Sequence, residues 1–350
     1  MTDKIKAVVI GASGYTGAEL VRLLKMHPKA EIVALVANSN AGKEMRDLYP
    51  QFTASNLPKL SEIEDVNFAD VDVAFTCLPH GASQRIIAEL YSKYPNLKII
   101  DLSADYRIKD VDVYAKWYGA KHIAPDLQKD AVYGLTEIYR EDIKTARLVA
   151  CPGCYPTSML LPLIPLLKEG VIKKENIIID SKTGISGAGR KASIGNLFCE
   201  VEGNIQPYGL TGHRHISEVE QELTIAKNED LQIIFTPQVV PMSRGILSNI
   251  YVDLESGKSV GDIKSAWSKH LNTDDCSFVK VPDVVPTTKQ VVGSNIVHIN
   301  AYENRVKGKV TIVCAIDNLL KGASGQAVQN MNLMFGFTEC EGLQQIPVFP

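Results

Sequence analysis

Cys154 lies in the run Cys151-Pro152-Gly153-Cys154-Tyr155-Pro156-Thr157, just after a short apolar strand pattern, Leu148-Val149-Ala150. Pro156 marks where a helix can begin, because proline has its φ already set and lacks an N–H that would go unpaired at a first helical position. A cysteine at that junction faces the positive end of a helix, which favours thiolate over thiol. A thiolate attacks acyl carbons and also leaves well, so the expected chemistry is covalent acyl transfer. Gly212-His213-Arg214-His215 offers the acid–base partner, since imidazole can take a thiol proton and return one near neutral pH. From spacing alone, two surface histidines on a loop are an equal alternative. Asp101-Leu102-Ser103-Ala104-Asp105-Tyr106-Arg107 ends an apolar run. Arg107 there is either a phosphate ligand, through its planar fork of donors, or half of a surface ion pair with Asp105 or Asp110.

A second constellation lies near the N-terminus. Gly11-Ala12-Ser13-Gly14-Tyr15-Thr16-Gly17 reads G-x-x-G-x-x-G between a strand pattern and a helix pattern. Glycines let a backbone approach a pyrophosphate, and the helix start supplies N–H groups and a favourable dipole. An NAD site usually carries an acid at the end of the second strand, on the ribose hydroxyls. Here that strand ends Val36-Ala37-Asn38-Ser39-Asn40 with Lys43 close behind, and Glu31 lies at its other end. Small polar groups beside a cation suit a 2′-phosphate, so NADP(H) is expected, with Ser39 among its contacts. Cys77-Leu78-Pro79-His80-Gly81 also joins a strand to a helix and is a natural cofactor wall through Pro79.

The elements that must position these groups alternate over the first 150 residues. Strands are expected at 5–10, 32–36, 71–77 and 98–101, and helices at 16–26 and 82–93. That alternation predicts a doubly wound parallel sheet of Rossmann type. Beyond Cys154 strands dominate, at 177–183, 232–240, 246–254, 296–302 and 309–316, with helices at 217–226 and 260–271. The second part is therefore expected as an α+β layer on a mixed or antiparallel sheet. A last helix, 325–334, follows a turn at 317–324 and is expected to return to the first domain. The domains are thus 1–150 with 320–350, and 151–319. Residues 184–190, Gly-Ile-Ser-Gly-Ala-Gly-Arg, form the most flexible-looking loop.

Composition narrows the function classes. A net charge of −3 offers no basic field for nucleic acid. The longest apolar run, 159–167, holds two prolines and is too short to span a bilayer. Residues 1–6 enter a strand pattern directly and show no signal peptide, so a cytoplasmic chain with reduced thiols is expected. Cys151 and Cys154 form a C-x-x-C pair without a second such pair, so no metal site is expected and a dithiol oxidoreductase stays open as a rival. A non-enzymatic NADP-binding regulator is a further rival.

Taken together these motifs resemble the N-acetyl-gamma-glutamyl-phosphate reductase family, itself related to aspartate-semialdehyde dehydrogenase. The resemblance rests on Gly11 to Gly17, Leu78 to Gly81, Asp101 to Arg107, Tyr133-Gly134-Leu135-Thr136-Glu137, Pro152 to Thr157, the 184–190 loop, Gly212 to His215, and Lys321-Gly322-Ala323-Ser324-Gly325-Gln326-Ala327-Val328-Gln329-Asn330. It implies a Rossmann-like domain and a catalytic and dimerisation domain of the glyceraldehyde-3-phosphate-dehydrogenase-like type. It implies NADPH-dependent reduction of N-acetyl-L-glutamyl 5-phosphate to the 5-semialdehyde, in arginine biosynthesis, by a homodimer or homotetramer. Cys154 is then the nucleophile, His213 the favoured base with His215 second, and Glu218 a substrate contact. Ser186, Gly187, Asn318 and Gly322 fall to the cofactor. A reductase of aminoadipyl phosphate, in lysine synthesis, is the near alternative. The family usually has asparagine where this chain has Cys151, which opens the hypothesis of a Cys151–Cys154 bridge under oxidation.

Overall fold

The structure, a computed structural model, describes residues 4–272 and 276–349. Met1-Thr2-Asp3, part of the N-terminal reading, and Pro350, where the resemblance ends, lie outside the described residues. The chain divides into two compact units. One runs up to Pro152 and includes Ala323–Gln344; the other runs from Gly153 to Gly322 and includes the tail from Gln345.

The first unit is built on seven parallel strands: β1 (Ile5–Ile10), β2 (Ala30–Val36), β3 (Leu60–Ser61), β4 (Val73–Thr76), β5 (Lys98–Asp101), β6 (Ala131–Tyr133) and β7 (Leu148–Ala150). Their order is β3-β2-β1-β4-β5-β7-β6, each neighbour parallel. A parallel sheet is covered on both faces, which is why its strands are continuous apolar runs. Ala7 to Ile10 and Val73 to Phe75 are all at most 1% exposed. The nucleotide helix, Tyr15–Met26, buries Leu20, Val21, Leu23 and Leu24 beneath β1 and β2. This is the Rossmann-like layer expected from the alternation. The strand expected at 71–77 is shorter, because a 3-10 turn, Phe68–Asp70, precedes it.

The second unit holds a mixed sheet: β8 (Ile177–Thr183), β9 (Gln206–Pro207), β10 (Ile233–Val239), β11 (Ile246–Asp253), β12 (Val279–Lys280), β13 (Val297–Glu303) and β14 (Lys309–Ile316), in the order β12-β13-β14-β11-β8-β10-β9. β8 pairs with β10 in parallel and with β11 antiparallel. The two-residue strands at its edges are too short to leave a period in the sequence.

The thiol helix, Cys154–Lys168, packs over this sheet. It contains Pro162 and Pro165, each of which costs about 3 kcal/mol inside a helix. Burial outweighs that cost. Met159, Leu160, Leu161, Leu163, Ile164, Leu166 and Leu167 are 0–2% exposed, and each contributes about 1.5–3 kcal/mol. The helix starts at Cys154, two residues before the expected Pro156, and Gly153 is its N-cap. Pro156 therefore occupies the third helical position, where its missing N–H still deprives the helix of nothing. The turn expected at 317–324 contains a π-helical segment, Leu320–Ser324. The histidine helix, His215–Lys227, begins two residues earlier than expected.

Candidate active site

The nucleotide turn in the first unit has the shape its glycines require. Gly11 has φ +91, and a Cβ there would lie 2.4 Å from the Cys77 carbonyl oxygen at the end of β4. A Cβ on Gly17 would lie 2.3 Å from the Gly11 carbonyl oxygen, so the helix packs directly on the turn. Gly14 is different: a Cβ there would meet only the Gly11 carbonyl oxygen, at 3.7 Å. Nothing within the described residues demands a glycine at 14, and its lack of a side chain leaves the N-cap of the Tyr15–Met26 helix open. Ser13, Tyr15 and Thr16 complete the turn; the Ser13 carbonyl accepts from Tyr49 Oη and the Thr16 carbonyl from Ser324 Oγ. β2 ends in the 3-10 turn Asn38–Asn40, with Ser39 exposed and Lys43 Nζ 3.1 Å from Asn40 Oδ1.

The remaining strand ends of this unit are tied together by buried carboxylates. Asp101 accepts from Thr76 Oγ1 at 2.6 Å and Ser103 Oγ at 2.7 Å; burial pushes its carboxyl up to about 6. Asp105 accepts from the Gly81 and Ser83 amides and from Tyr114 Oη, which holds the exposed Pro79 turn in place. Arg107 is 6% exposed, so a surface ion pair does not describe it. Its Nε donates to the Cys151 carbonyl at 2.6 Å and its Nη2 to the Leu102 carbonyl at 2.9 Å. Cys151 is fully buried: its amide donates to the Asp101 carbonyl at 2.8 Å and its Sγ lies 3.5 Å from Asn330 Nδ2.

In the second unit the half-buried Cys154 is the first residue of its helix. Gly322 packs against it so closely that a Cβ on the glycine would lie 2.8 Å from Cys154 Cβ. The turn behind Gly322 is capped by Asp317, whose Oδ1 accepts from the Leu319 and Leu320 amides and whose Oδ2 accepts from the Gly293 amide. On the preceding residue, Gly153, a Cβ would lie 2.5 Å from His215 Nε2. The Gly153 amide donates to Glu218 Oε1 at 2.8 Å. His215, Glu218, Cys154 and Gly322, far apart in sequence, therefore converge on one helix N-terminus.

His213 stands in an aromatic surround. Its ring centroid is 4.8 Å from that of His215, 5.7 Å from Tyr155, and 5.5 Å from Tyr208 and Phe235. Burial, aided by the Arg214 charge, lowers its pKa to about 4. Its Nδ1 accepts from the His215 amide at 3.2 Å, so that nitrogen is unprotonated. Tyr208 Oη donates to Tyr155 Oη at 3.1 Å, and Tyr155 shares a side-chain hydrogen bond with Thr183. No spacing in the sequence singled out Tyr155, Tyr208 or Asp317, because their roles arise only from contacts across the fold.

Ser186, Gly187 and Asn318 are also brought together. Asn318 Nδ2 donates to Ser186 Oγ at 3.0 Å and its Oδ1 accepts from the Gly245 amide at 2.7 Å. The segment expected to be flexible is thus a 3-10 turn, Ile185–Ala188, whose Ser186 amide bonds the Ser243 carbonyl. These bonds tie the start of the loop to its neighbours, while residues 187–190 are exposed. Among the described cysteines, Cys77, Cys151, Cys154, Cys199 and Cys314 are free thiols; Cys276 and Cys340 are not, contrary to the expectation of reduced thiols throughout. Among the described residues no group of three or more His, Cys, Asp or Glu could hold a metal ion, and no helix is long and apolar enough to cross a membrane.

Known proteins share both the fold and the sequence. Residues 6–146 match the family described as semialdehyde dehydrogenase, NAD binding domain, and residues 154–318 the semialdehyde dehydrogenase dimerisation domain. A crystal structure of aspartate semialdehyde dehydrogenase II from Vibrio cholerae, complexed with ASA, has a TM-score of 0.72 at 16% identity over 96% of this chain and 99% of that one. The aspartate semialdehyde dehydrogenase of Candida albicans, solved with NADP, gives 0.69 at 18% identity over 95% and 98%. These likenesses establish the fold. Sequence relatives are much nearer. N-acetyl-gamma-glutamyl-phosphate reductase of Afipia carboxidovorans is 50% identical over 99% of both chains. That of Rhodospirillum rubrum is 50% identical over the whole of both. A probable chloroplastic counterpart from Arabidopsis thaliana is 49% identical over 99% of this chain and 86% of its own. With identity of that degree along its full length, the chain belongs to the N-acetyl-gamma-glutamyl-phosphate reductase family.

Proposed function

We propose that this chain reduces N-acetyl-L-glutamyl 5-phosphate to N-acetyl-L-glutamate 5-semialdehyde and phosphate, with NADPH as reductant and Cys154 as nucleophile. The observation that carries this reading is Cys154 at the first position of a buried helix, with His215 against the preceding glycine. Full-length relatives named for the reaction support it. The first unit would be the cofactor domain and the second the catalytic and oligomerisation domain of a cytoplasmic homodimer or homotetramer.

The residues present fit an NADP-type cofactor. The turn Gly11 to Gly17 would hold the pyrophosphate, with the side-chain-free Gly14 at the helix N-cap. Ser39, Asn40 and Lys43 would hold a 2′-phosphate, since the residues that end β2, Val36 to Asn40, include no acid to bind ribose hydroxyls. Pro79, Ser186, Gly187, Asn318 and Gly322 are proposed to contact the rest of the cofactor. When bound, the dihydronicotinamide supplies the hydride that reduces the acyl group.

His215 is proposed to take the Cys154 thiol proton. It ranks ahead of His213, the base favoured from sequence, whose depressed pKa makes it a weak base at neutral pH. The Cys154 thiolate forms a bond to the substrate carbonyl carbon, and the carbon–oxygen bond to phosphate breaks with its electron pair on phosphate. Arg107 would offer that anion a cation, while its Nε and Nη2 brace the strand ends. The acyl group is then a thioester on Cys154. After reduction, the tetrahedral carbon expels the thiolate to give the aldehyde, and the imidazolium returns its proton. Backbone N–H groups at the helix start stabilise the oxyanion at each tetrahedral stage.

The test runs the reaction in reverse, with N-acetylglutamate semialdehyde, NADP and phosphate, following the reduced nicotinamide by absorbance. Steady turnover should require phosphate, because phosphate releases the acyl group from Cys154. Cys154→Ala should abolish turnover and leave folding and NADPH binding intact. Near-normal turnover in that variant would end the covalent reading.

A further inference from the structure

We propose that Glu218 is a positioning residue for the nucleophile turn, and that its function is to accept the Gly153 N–H rather than to hold substrate. The inference rests on Cys154 being the nucleophile.

Glu218 is fully buried. A carboxylate in such a place is costly unless something bonds it. Here Oε1 accepts the amide of Gly153, at 2.8 Å. Gly153 is the N-cap residue immediately before Cys154. Glu218 lies in the first turn of the histidine helix, where a negative charge is favoured by the helix N-terminus. His215 is three residues earlier on that helix, so the two side chains share a face. Its Nε2 edge rests where a Gly153 Cβ would be. One turn of helix therefore fixes both the imidazole and the backbone amide next to the thiol. Geometry between base and nucleophile is set by this pair of contacts to the same glycine.

The two roles for Glu218 make opposite demands. A substrate ligand needs the charge, whereas an anchor for a neutral amide needs only an acceptor oxygen. Glu218→Gln retains an acceptor and removes the charge; Glu218→Ala removes both. In the reverse reaction, Glu218→Gln should keep kcat within about 5-fold and leave KM for the semialdehyde unchanged. Glu218→Ala should lower kcat by about 30-fold with KM within about 3-fold, the effect of losing one charge-assisted hydrogen bond. Alkylation of Cys154 by iodoacetamide, read from its own peptide by mass spectrometry, should slow in the Ala variant and not in the Gln variant. A KM raised about 10-fold or more in Glu218→Gln would overturn the proposal in favour of substrate binding. Equal loss of kcat in both variants would overturn it too, as would an Ala variant with unchanged kcat and alkylation. If Glu218→Ala does not fold, the KM of Glu218→Gln decides alone. Turnover surviving in Cys154→Ala would instead remove the nucleophile reading itself, a separate result.

Discussion

Replacing Gly153 by alanine tests the site through a single added carbon. Gly153 has φ −65 and ψ 158, an extended conformation that alanine adopts without strain. The backbone therefore gives no reason for damage. The new Cβ would lie 2.5 Å from His215 Nε2 and 2.9 Å from its Cδ2 and Cε1. Ordinary contact begins at 3.4 Å, so the ring must withdraw by about 0.9 Å. Tyr155 and His213 already stand at ring distances of 6.0 and 4.8 Å, which limits where it can go. Misplacement of a catalytic group by about 1 Å costs about 100-fold in rate, or about 2.7 kcal/mol in the barrier. Overpacking should also cost about 1–3 kcal/mol of stability. Reverse-direction kinetics should show kcat down about 100-fold, with cofactor KM little changed. The stability loss should shrink when His215→Ala is added, because the clash then has no partner. A Gly153→Ala enzyme with kcat within about 3-fold of the parent, well short of that 100-fold, would refute the assignment of His215 to the catalytic site.

Three other outcomes follow from the same geometry. Gly11→Ala should destabilise the first unit by more than about 2 kcal/mol, since it combines positive φ with a Cβ 2.4 Å from the Cys77 carbonyl; Gly14→Ala should leave thermal unfolding unchanged and raise the cofactor KM. His213, held near 4 against an ordinary 6.5, remains neutral in the fold while the unfolded chain takes up a proton. Its contribution is complete above pH 6.5 and is lost as pH falls from 6.5 to about 4; denaturant unfolding of His213→Gln should therefore lose less stability than the parent over that window, by at most about 3 kcal/mol. Comparing the two proteins isolates His213 from Asp101, whose raised pKa acts in the opposite sense between 3.8 and about 6. Ser39→Asp should move the ratio of catalytic efficiencies toward NAD by about 10-fold, about 1.4 kcal/mol, and equal efficiency of the parent with both cofactors would refute the reading of the second strand's end.

Much of the scaffold was legible because burial on both faces leaves long apolar runs. β1, β5, β8 and β14 have the bounds their residues predict, and so does the closing helix, Gly325–Met334. Length set the limit of that legibility. β3, β9 and β12 are two residues each and are defined by their neighbours, not by their own pattern. The thiol helix was concealed differently. Its apolar residues occur on every side and two prolines interrupt them, so no amphipathic period survives.

Within the site, sequence located single residues and missed what they touch. The position of Cys154 was legible because it depends on a local feature, a strand-to-helix junction; its role as nucleophile is the proposal that Cys154→Ala tests. The ranking of His213 over His215 had no such support, since adjacent loop residues differ only in where the fold sends them. Folding sends His213 among Tyr155, Tyr208 and Phe235, where its charge is suppressed. It sends His215 to the edge of Gly153. The glycines tell the same story: in sequence Gly153 and Gly322 resemble turn residues, yet each marks a place where a side chain from a distant segment fills the space a Cβ would need. A glycine next to a candidate nucleophile is thus better read as a docking point for a distant segment than as a hinge, and here Gly153 receives the His215 imidazole and Gly322 the Cβ of Cys154.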